Sequence, residues 1–393
     1  MALPKVTIKY LNGLLGVTPE SKDGLLALVH LGASAVGTTF KLDNPYLIYG
    51  PSSLDALGIT DDNNGRIVQL VRQFYTEAEE GTPLYIVGSA SGGNPMEDYC
   101  SKDTGKLVSL VEQLKGEIRG VVLTSNLDET PSDGIPQDIY NAISAAQLSA
   151  EHCAESLYAP IFVVIEGRCL DNVDNVIDMS EEEHDRVAVF LGSTSQGDMD
   201  TAVGLLAGKI ASVPIQRNIG AVLSGPLKTD EMYLGRDLVD KSMDAVRMAH
   251  DKGYIVPRIH IGRSGYYFAD DIMCCSPTKD YAHLTARRTI DKAARIAYDA
   301  LLDFLLSEIE LNEDGTMQQP VVKSWQAAVE SAINGQMTAN GELSAIDGSG
   351  CRCIIDAAQN VLSTGKVNVT LKVRPFGYAR EIDCSLGFLT NNA

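Results

Sequence analysis

Residues 25–30, Leu25-Leu26-Ala27-Leu28-Val29-His30, follow the turn pair Asp23-Gly24 and decide how the chain is read. A short unbroken apolar run of this kind reads as a buried strand. The pattern repeats along the chain. Apolar runs at 46–49, 84–87, 120–123, 161–165 and 187–191 alternate with helical periodicity at 66–79, 107–113, 137–156 and 201–210. Strands alternating with helices as far as about Val222 predict an α/β layer.

Beyond Ser224-Gly225-Pro226 the texture shifts toward α+β. The sequence predicts a helix over 237–251, a strand over 255–261 and an aromatic strand at Tyr266-Tyr267-Phe268. The longest helical pattern runs from 284 to 309, with an apolar stripe at Ile290, Ala294, Ala297, Leu301, Phe304 (or Leu305) and Ile309. A turn at Asn312-Glu313-Asp314-Gly315 ends it, and a shorter helix is expected over 321–333.

Both ends of the chain alternate with period two. Lys5-Val6-Thr7-Ile8-Lys9-Tyr10 places Val6 and Ile8 on one face and meets the turn signal Asn12-Gly13. Near the other end Val367, Val369, Leu371 and Val373 alternate with polar residues, Pro375 interrupts, and Ile382, Cys384, Leu386 and Phe388 resume the pattern. An amphipathic strand at a chain end must find a sheet edge, and that edge can belong to its own molecule or to a neighbour.

Composition narrows the function. With 393 residues, two or three domains are expected, and 45% hydrophobic with 21% charged residues suits a folded chain with a sizeable core. The formal charge of -20 argues against general nucleic-acid binding, which draws its affinity from Lys and Arg. No run reaches the roughly 18 apolar residues of a membrane span, and Met1-Ala2-Leu3-Pro4-Lys5 leads into alternation instead of an apolar signal core. A chain made in a cytoplasm is therefore expected, with its eight scattered cysteines as reduced thiols.

Catalytic signatures are mostly lacking in the sequence: it has no phosphate-wrapping Gly-x-x-x-x-Gly-Lys loop, no His-Glu-x-x-His helix and no Gly-x-Ser-x-Gly turn. Gly88-Ser89-Ala90-Ser91-Gly92 puts alanine where that turn needs its nucleophile. A small-residue loop after a strand is nonetheless where α/β proteins hold ligands, so an enzyme using loop 88–94 is the alternative reading. Cys351-Arg352-Cys353 and Cys274-Cys275 lack the usual zinc spacing; alternation sends Cys351 and Cys353 to one face, where a core fits them. The acidic pairs Asp61-Asp62 and Asp270-Asp271 show no converging partner in sequence and read as solvated or ion-paired surface acids. No cofactor or metal is implied.

One charge pattern stands out. Arg287, Arg288, Lys292 and Arg295 crowd the first half of the long helix, where exposed positive charge opposes the helix dipole at roughly 0.3–1 kcal/mol each. Partners within the helix, Asp291 and Asp299, return only about 0.2–0.5 kcal/mol per pair. Acidic groups elsewhere must meet these cations, either inside this acidic chain or on a binding partner.

Several blocks together resemble the contractile tail sheath family of bacteriophages and related injection machines, in a form similar to sheaths of Bacteroides-type prophages. They are Val6-Thr7-Ile8 through Asn12-Gly13-Leu14-Leu15-Gly16 with Ser21-Lys22-Asp23-Gly24; Phe74-Tyr75 through Gly81-Thr82-Pro83-Leu84-Tyr85-Ile86-Val87; and Gly262-Arg263-Ser264-Gly265-Tyr266-Tyr267-Phe268. Ser276-Pro277, Tyr281 through Arg287-Arg288-Thr289-Ile290-Asp291, and Gly365-Lys366-Val367-Asn368-Val369 through Arg374-Pro375, Ala379 and Glu381-Ile382 complete the order.

The resemblance implies a two-domain protomer of α/β and α+β type: an N-terminal linking arm at 1–22, an outer α/β domain at 23–222, an inner tube-facing α+β domain at 223–365, and C-terminal strands and arm at 366–393. It implies that arm strands carrying Val6, Ile8, Tyr10, Val367, Val369, Leu371, Val373, Ile382, Cys384 and Leu386 add to sheets of neighbouring copies. It implies partners as well: many copies of itself in stacked rings, a tail tube, and baseplate and terminator proteins, with no nucleic acid and no membrane insertion. The implied function is mechanical, a sheath that contracts and drives a tube through a cell envelope, within a particle assembled in a bacterial cytoplasm. On the same basis Arg287, Arg288, Lys292 and Arg295 are expected to touch the tube. Another tail or baseplate component is a further alternative.

Overall fold

A computed structural model describes residues 22–126, 134–169, 171 and 173–388. Its centre is a six-stranded sheet built from β1 (Leu26–Leu31), β2 (Tyr46–Ile48), β3 (Leu84–Ser89), β4 (Gly120–Ser125), β5 (Phe162–Glu166) and β6 (Val187–Phe190). The order is β2-β3-β1-β4-β5-β6, with only β2 antiparallel. The run that opened the sequence reading lies in the middle: Leu26 stands opposite both Leu84 and Gly120. Every residue of β1, β4 and β5 is buried, which explains why these strands read as unbroken apolar runs and not as alternation.

Parallel neighbours need crossovers, and helices supply them. Helix α1 (Asp61–Glu77) leads into β3, α2 (Gln137–Glu155) joins β4 to β5, and α3 (Val203–Ser212) follows β6. Helices α1 and α3 cross closely because α3 carries glycine where they touch. A Cβ on Gly204 would meet the Leu70 carbonyl at 2.4 Å, and one on Gly208 the Phe74 carbonyl at 2.3 Å.

The C-terminal ends of β1, β4 and β5 meet in a buried polar network. Glu166, fully buried, accepts from Arg66 at 2.7 Å and from the Ser125 amide at 2.6 Å. Arg168 donates to the Ser125 carbonyl at 2.6 Å and pairs with Asp200 at 2.5 Å. Beside them His30 lies within 3.0 Å of the Thr124 hydroxyl, and burial with the neighbouring Arg66 charge lowers its pKa to about 3. Between about pH 6.5 and 3 the unfolded chain binds a proton that folded His30 refuses, so stability falls as pH falls through that window. From pH 7 to pH 5 the expected loss from this group is about 2 kcal/mol. Urea midpoints should show that slope in the parent and a flatter one in His30→Gln; equal slopes would refute the assignment.

One hydrophobic cluster runs from Leu25 to Leu284. It continues through 222/223, the position expected to separate the outer domain from the inner one, since Leu227, Met232, Tyr254 and Phe268 belong to it. Two smaller clusters follow, one around Ile215, Ala293, Ile296 and Ile333, the other around Met317, Val322, Val329 and Cys353. Helix α4 (Leu284–Leu302) connects all three, with Leu284 in the first, Ile296 in the second and Leu301 against the third. It stops at Leu302 instead of continuing to 309, and of its expected stripe Ile290 is half-buried and Ala294 exposed. The expected strand over 255–261 is reduced to Pro257–Arg258, paired with Tyr267–Phe268.

Candidate functional site

The last stretch of the described chain forms a hairpin-like pair, β7 (Cys351–Ile355) and β8 (Val369–Val373), lying against α5 (Gln319–Ile333). Of the period-two stretch 367–373, Val369–Val373 forms a strand, but its described partner is in the same chain: Cys353 stands opposite Leu371. Cys353 and Ile355 are buried, and Val367, Val369 and Leu371 pack against them. Cys351 faces the same side, half-buried, as the core reading of the cysteine pair expects.

The two outer edges of this pair differ. Arg374 donates to the Gly350 carbonyl at 2.8 Å. Antiparallel alternation therefore turns the main-chain groups of Lys372 and Thr370 toward β7 as well, and those of Val369, Leu371 and Val373 outward. On the β7 side, side chains occupy the first part of the edge: Glu330 accepts from the Cys353 amide at 2.7 Å and Ser349 donates to the Cys351 carbonyl at 2.8 Å. On the β8 side, no hydrogen bond engages the main chain of Val369, Leu371 or Val373 among the described residues. This is an open strand edge backed by an apolar face, the geometry that accepts an added strand.

Past Pro375 the chain leaves the pair. Ile382, Cys384 and Leu386 do not form the strand expected of them; they are exposed, Ile382 at 82% and Leu386 at 96%. With Phe388 at 101% they leave the apolar half of an alternating segment without cover. Val6, Ile8 and Tyr10 lie outside the described residues.

The four cations of α4 expected to touch the tube have partners within the protomer. Arg287 and Arg288 are buried, and Arg295 and Lys292 half-buried. Lys292 Nζ sits 2.5 Å from Asp23 and 2.7 Å from Glu342. Arg288 donates toward the Asp23 and Val213 carbonyls at 3.4 and 3.3 Å. Arg295 donates to the carbonyls of Gly116, Ile118 and Pro160. Arg287 lies 3.5 Å from Asp185 and from Asp291, with its guanidinium over the Tyr281 ring. Arg186 also pairs with Asp291, at 3.1 Å. Burial pushes both Arg288 and Arg295 below the usual arginine range, and carboxylates nearby oppose that shift. These cations bind the helix to the rest of the protomer.

The acidic pair Asp270-Asp271 is ion-paired, as one of the two expected readings has it, but it is buried and not at the surface. Asn218 donates to Asp270 at 2.6 Å and to Asp271 at 2.7 Å, and His283 Nδ1 lies 3.2 Å from Asp271. Arg380, from the C-terminal segment, bonds Asp270 at 2.8 Å. Burial pushes the Asp270 carboxyl up, but contact with Asp271, His283, Asn218 and Arg380 outweighs it and holds the group at about 2. The three potential ligands Asp270, Asp271 and His283 lie close enough to hold a metal ion, yet amide and guanidinium donors already point at the carboxylate oxygens. Asp61 pairs with Arg72 at the surface.

Loop 88–94 is divided. Gly88 and Ser89 finish β3, where a Cβ on Gly88 would meet Ala33 and Phe40 at 2.7 Å. The Ser89 hydroxyl donates to Asp43 at 2.6 Å and Lys106 pairs with Asp43 at 2.7 Å; Ala90 to Asn94 run exposed over the surface.

A chain with this sheet, this α4 and this open-edged C-terminal pair has the fold of contractile sheath proteins. It matches a protein of the sheath complex of the extracellular contractile injection system PVC in its contracted state, with TM-score 0.60 and 15% identity over 98% of each chain. It also matches a chain in the baseplate structure of the anti-feeding prophage, with TM-score 0.62 and 15% identity over 99% of this chain and 100% of that one. The sheath tail protein of Desulfitobacterium hafniense matches with TM-score 0.51 and 10% identity over 90% of this chain and 94% of its own. No curated protein matches the sequence. The sequence matches the N-terminal domain of the DUF2586 family over residues 3–271 and its C-terminal domain over 280–393, and the chain belongs to that family.

Proposed function

We propose that this chain is the protomer of a contractile sheath, which polymerises around a tube and shortens to drive the tube through a target cell envelope. The observation that carries the reading is the likeness to sheath proteins along essentially the full length of both chains. The open β8 edge and the uncovered apolar residues after Pro375 supply what a strand-linked polymer needs, a free acceptor edge and a free donor. The role is structural and the partners are other copies of the chain, with the tube, baseplate and terminator as further components of an injection particle.

In this reading the protomer, its outer region at 23–222 and inner region at 223–365 sharing one core, reorients as a body during contraction while the main-chain links persist. Segments 1–22 and 366–393 carry the links. Within the second, β8 belongs to the acceptor pair of its own copy, so the donating residues follow Pro375. Contact with the tube falls to residues other than the internally paired cations of α4. Among the described residues no helix is long and apolar enough to cross a membrane.

Truncation tests the linkage. The cut must fall before Asp23, because its carboxylate pairs with Lys292. The shortened chain is expected to fold with the parent's circular dichroism but to give no rings or tubes by electron microscopy. Normal polymer from it would sink the N-terminal link.

A further inference from the structure

Two adjacent carboxylates buried together repel one another and need a countercharge. Asp271 is fully buried and Asp270 nearly so, and the Asn218 amide that bridges them carries no charge. A cation comes from 110 positions along the chain: Arg380 places Nε 2.8 Å from Asp270 and Nη2 3.7 Å from Asp271. Two residues earlier, Tyr378 donates its hydroxyl to the Gln216 carbonyl at 2.6 Å, and the Arg380 guanidinium lies 5.4 Å from the Tyr378 ring. In extended chain, alternate residues face the same way. Tyr378, half-buried, and Arg380, whose side chain stays 38% exposed while its guanidinium reaches Asp270, thus turn toward the protomer, and Phe376, Gly377, Ala379 and Glu381 to Phe388 are exposed. The segment is held at two points and otherwise uncovered.

The fastening also spans the clusters. Strand β8, from which the segment departs, packs in the C-terminal clusters, whereas Asp270 and Asp271 directly follow Phe268 of the main core. We propose that Asp270, Asp271 and His283 form a socket for Arg380 which clamps the root of the C-terminal arm to its own protomer, leaving the chain beyond 380 free to reach another copy. The clamp is a property of the single chain; it rests on the sheath reading only for its consequence, a fixed departure point for the link between copies. Such a point keeps the arm's root in register with the core when neighbouring copies reorient.

Cys384, an exposed cysteine four positions beyond Arg380, offers a direct probe. A nitroxide there, a second at Ser264→Cys on the exposed turn, and Cys351→Ser to remove a half-exposed thiol permit a pulsed electron-spin distance measurement on the full, unassembled chain. The parent is expected to give one narrow distance distribution, and Arg380→Ala one at least about twofold broader. Arg380→Gln, which keeps length and a donor but no charge, is expected to broaden it as well, and serves if the alanine variant folds poorly. A parent distribution already as broad as either variant's, or an unchanged width in a folded variant, overturns the socket. Electron microscopy of the unlabelled parent tests the sheath reading separately: narrow distances without polymer would refute the sheath and keep the clamp, and polymer with broad distances the reverse.

Discussion

Replacing Lys292 with alanine is expected to lower the stability of the folded chain by about 3 kcal/mol, read as a fall in the urea midpoint. The side chains of Lys292, Asp23 and Glu342 are only 15%, 16% and 10% exposed, so water cannot take over the ammonium's role. Its removal leaves two carboxylates facing one another. Burial already pushes the Glu342 carboxyl up while Lys292 pulls it down, and without the lysine the group rises further. A carboxyl raised above its unfolded value binds protons preferentially in the folded state, so the variant's deficit should narrow as pH falls from 7 toward 5. A loss below about 0.5 kcal/mol, or a deficit independent of pH, would overturn this account. Charge reversal at Arg288 or Lys292 therefore reports on folding first, and would mislead as a probe of the tube.

Val369→Pro is expected to abolish assembly while leaving the protomer folded. The Val369 amide points to the open side of β8, so proline removes a donor that an added strand would use without removing one that holds β8 to β7. Each contact loses a main-chain hydrogen bond and leaves a carbonyl of the added strand unmatched, about 1–3 kcal/mol, or about tenfold or more in affinity. A polymer multiplies that loss over its copies. Thr370→Pro is the internal comparison, since its amide points to β7 and its loss should unfold the pair. Sedimentation and electron microscopy read the first outcome, circular dichroism and thermal melting the second. Undiminished polymer from a folded Val369→Pro chain would rule out this edge as the acceptor.

The central sheet was legible because parallel strands covered on both faces are continuous apolar runs. Residues 84–87 and 120–123 were found as the cores of β3 and β4, and 107–113 matched the helix Leu107–Gln113. Reading failed on α4 for a definite reason. The stripe assigned to its apolar face included Ala294, which is exposed, whereas the buried face carries Arg287, Arg288 and Asp291. Hydrophobic periodicity assumes that buried means apolar, and it has no means to see a cation that meets its partner 269 positions away, as Lys292 meets Asp23. The socket at Asp270-Asp271 was missed for the same reason, as its countercharge comes from Arg380.

Local pattern and the order of blocks along the chain were enough to establish the α/β layer, the amphipathic strand at 367–373 and the resemblance to contractile sheaths. Which edges and charges are free was settled by tertiary packing alone. It turned four prominent cations inward, capped the Cys353 amide on the β7 edge with Glu330 and left the β8 edge open among the described residues. Whether a strand or a charge is available to a neighbour depends on what distant segments bring beside it. In this chain those segments are Asp23, Glu330, Glu342 and Arg380, whose contacts are made by the fold and not by proximity in sequence.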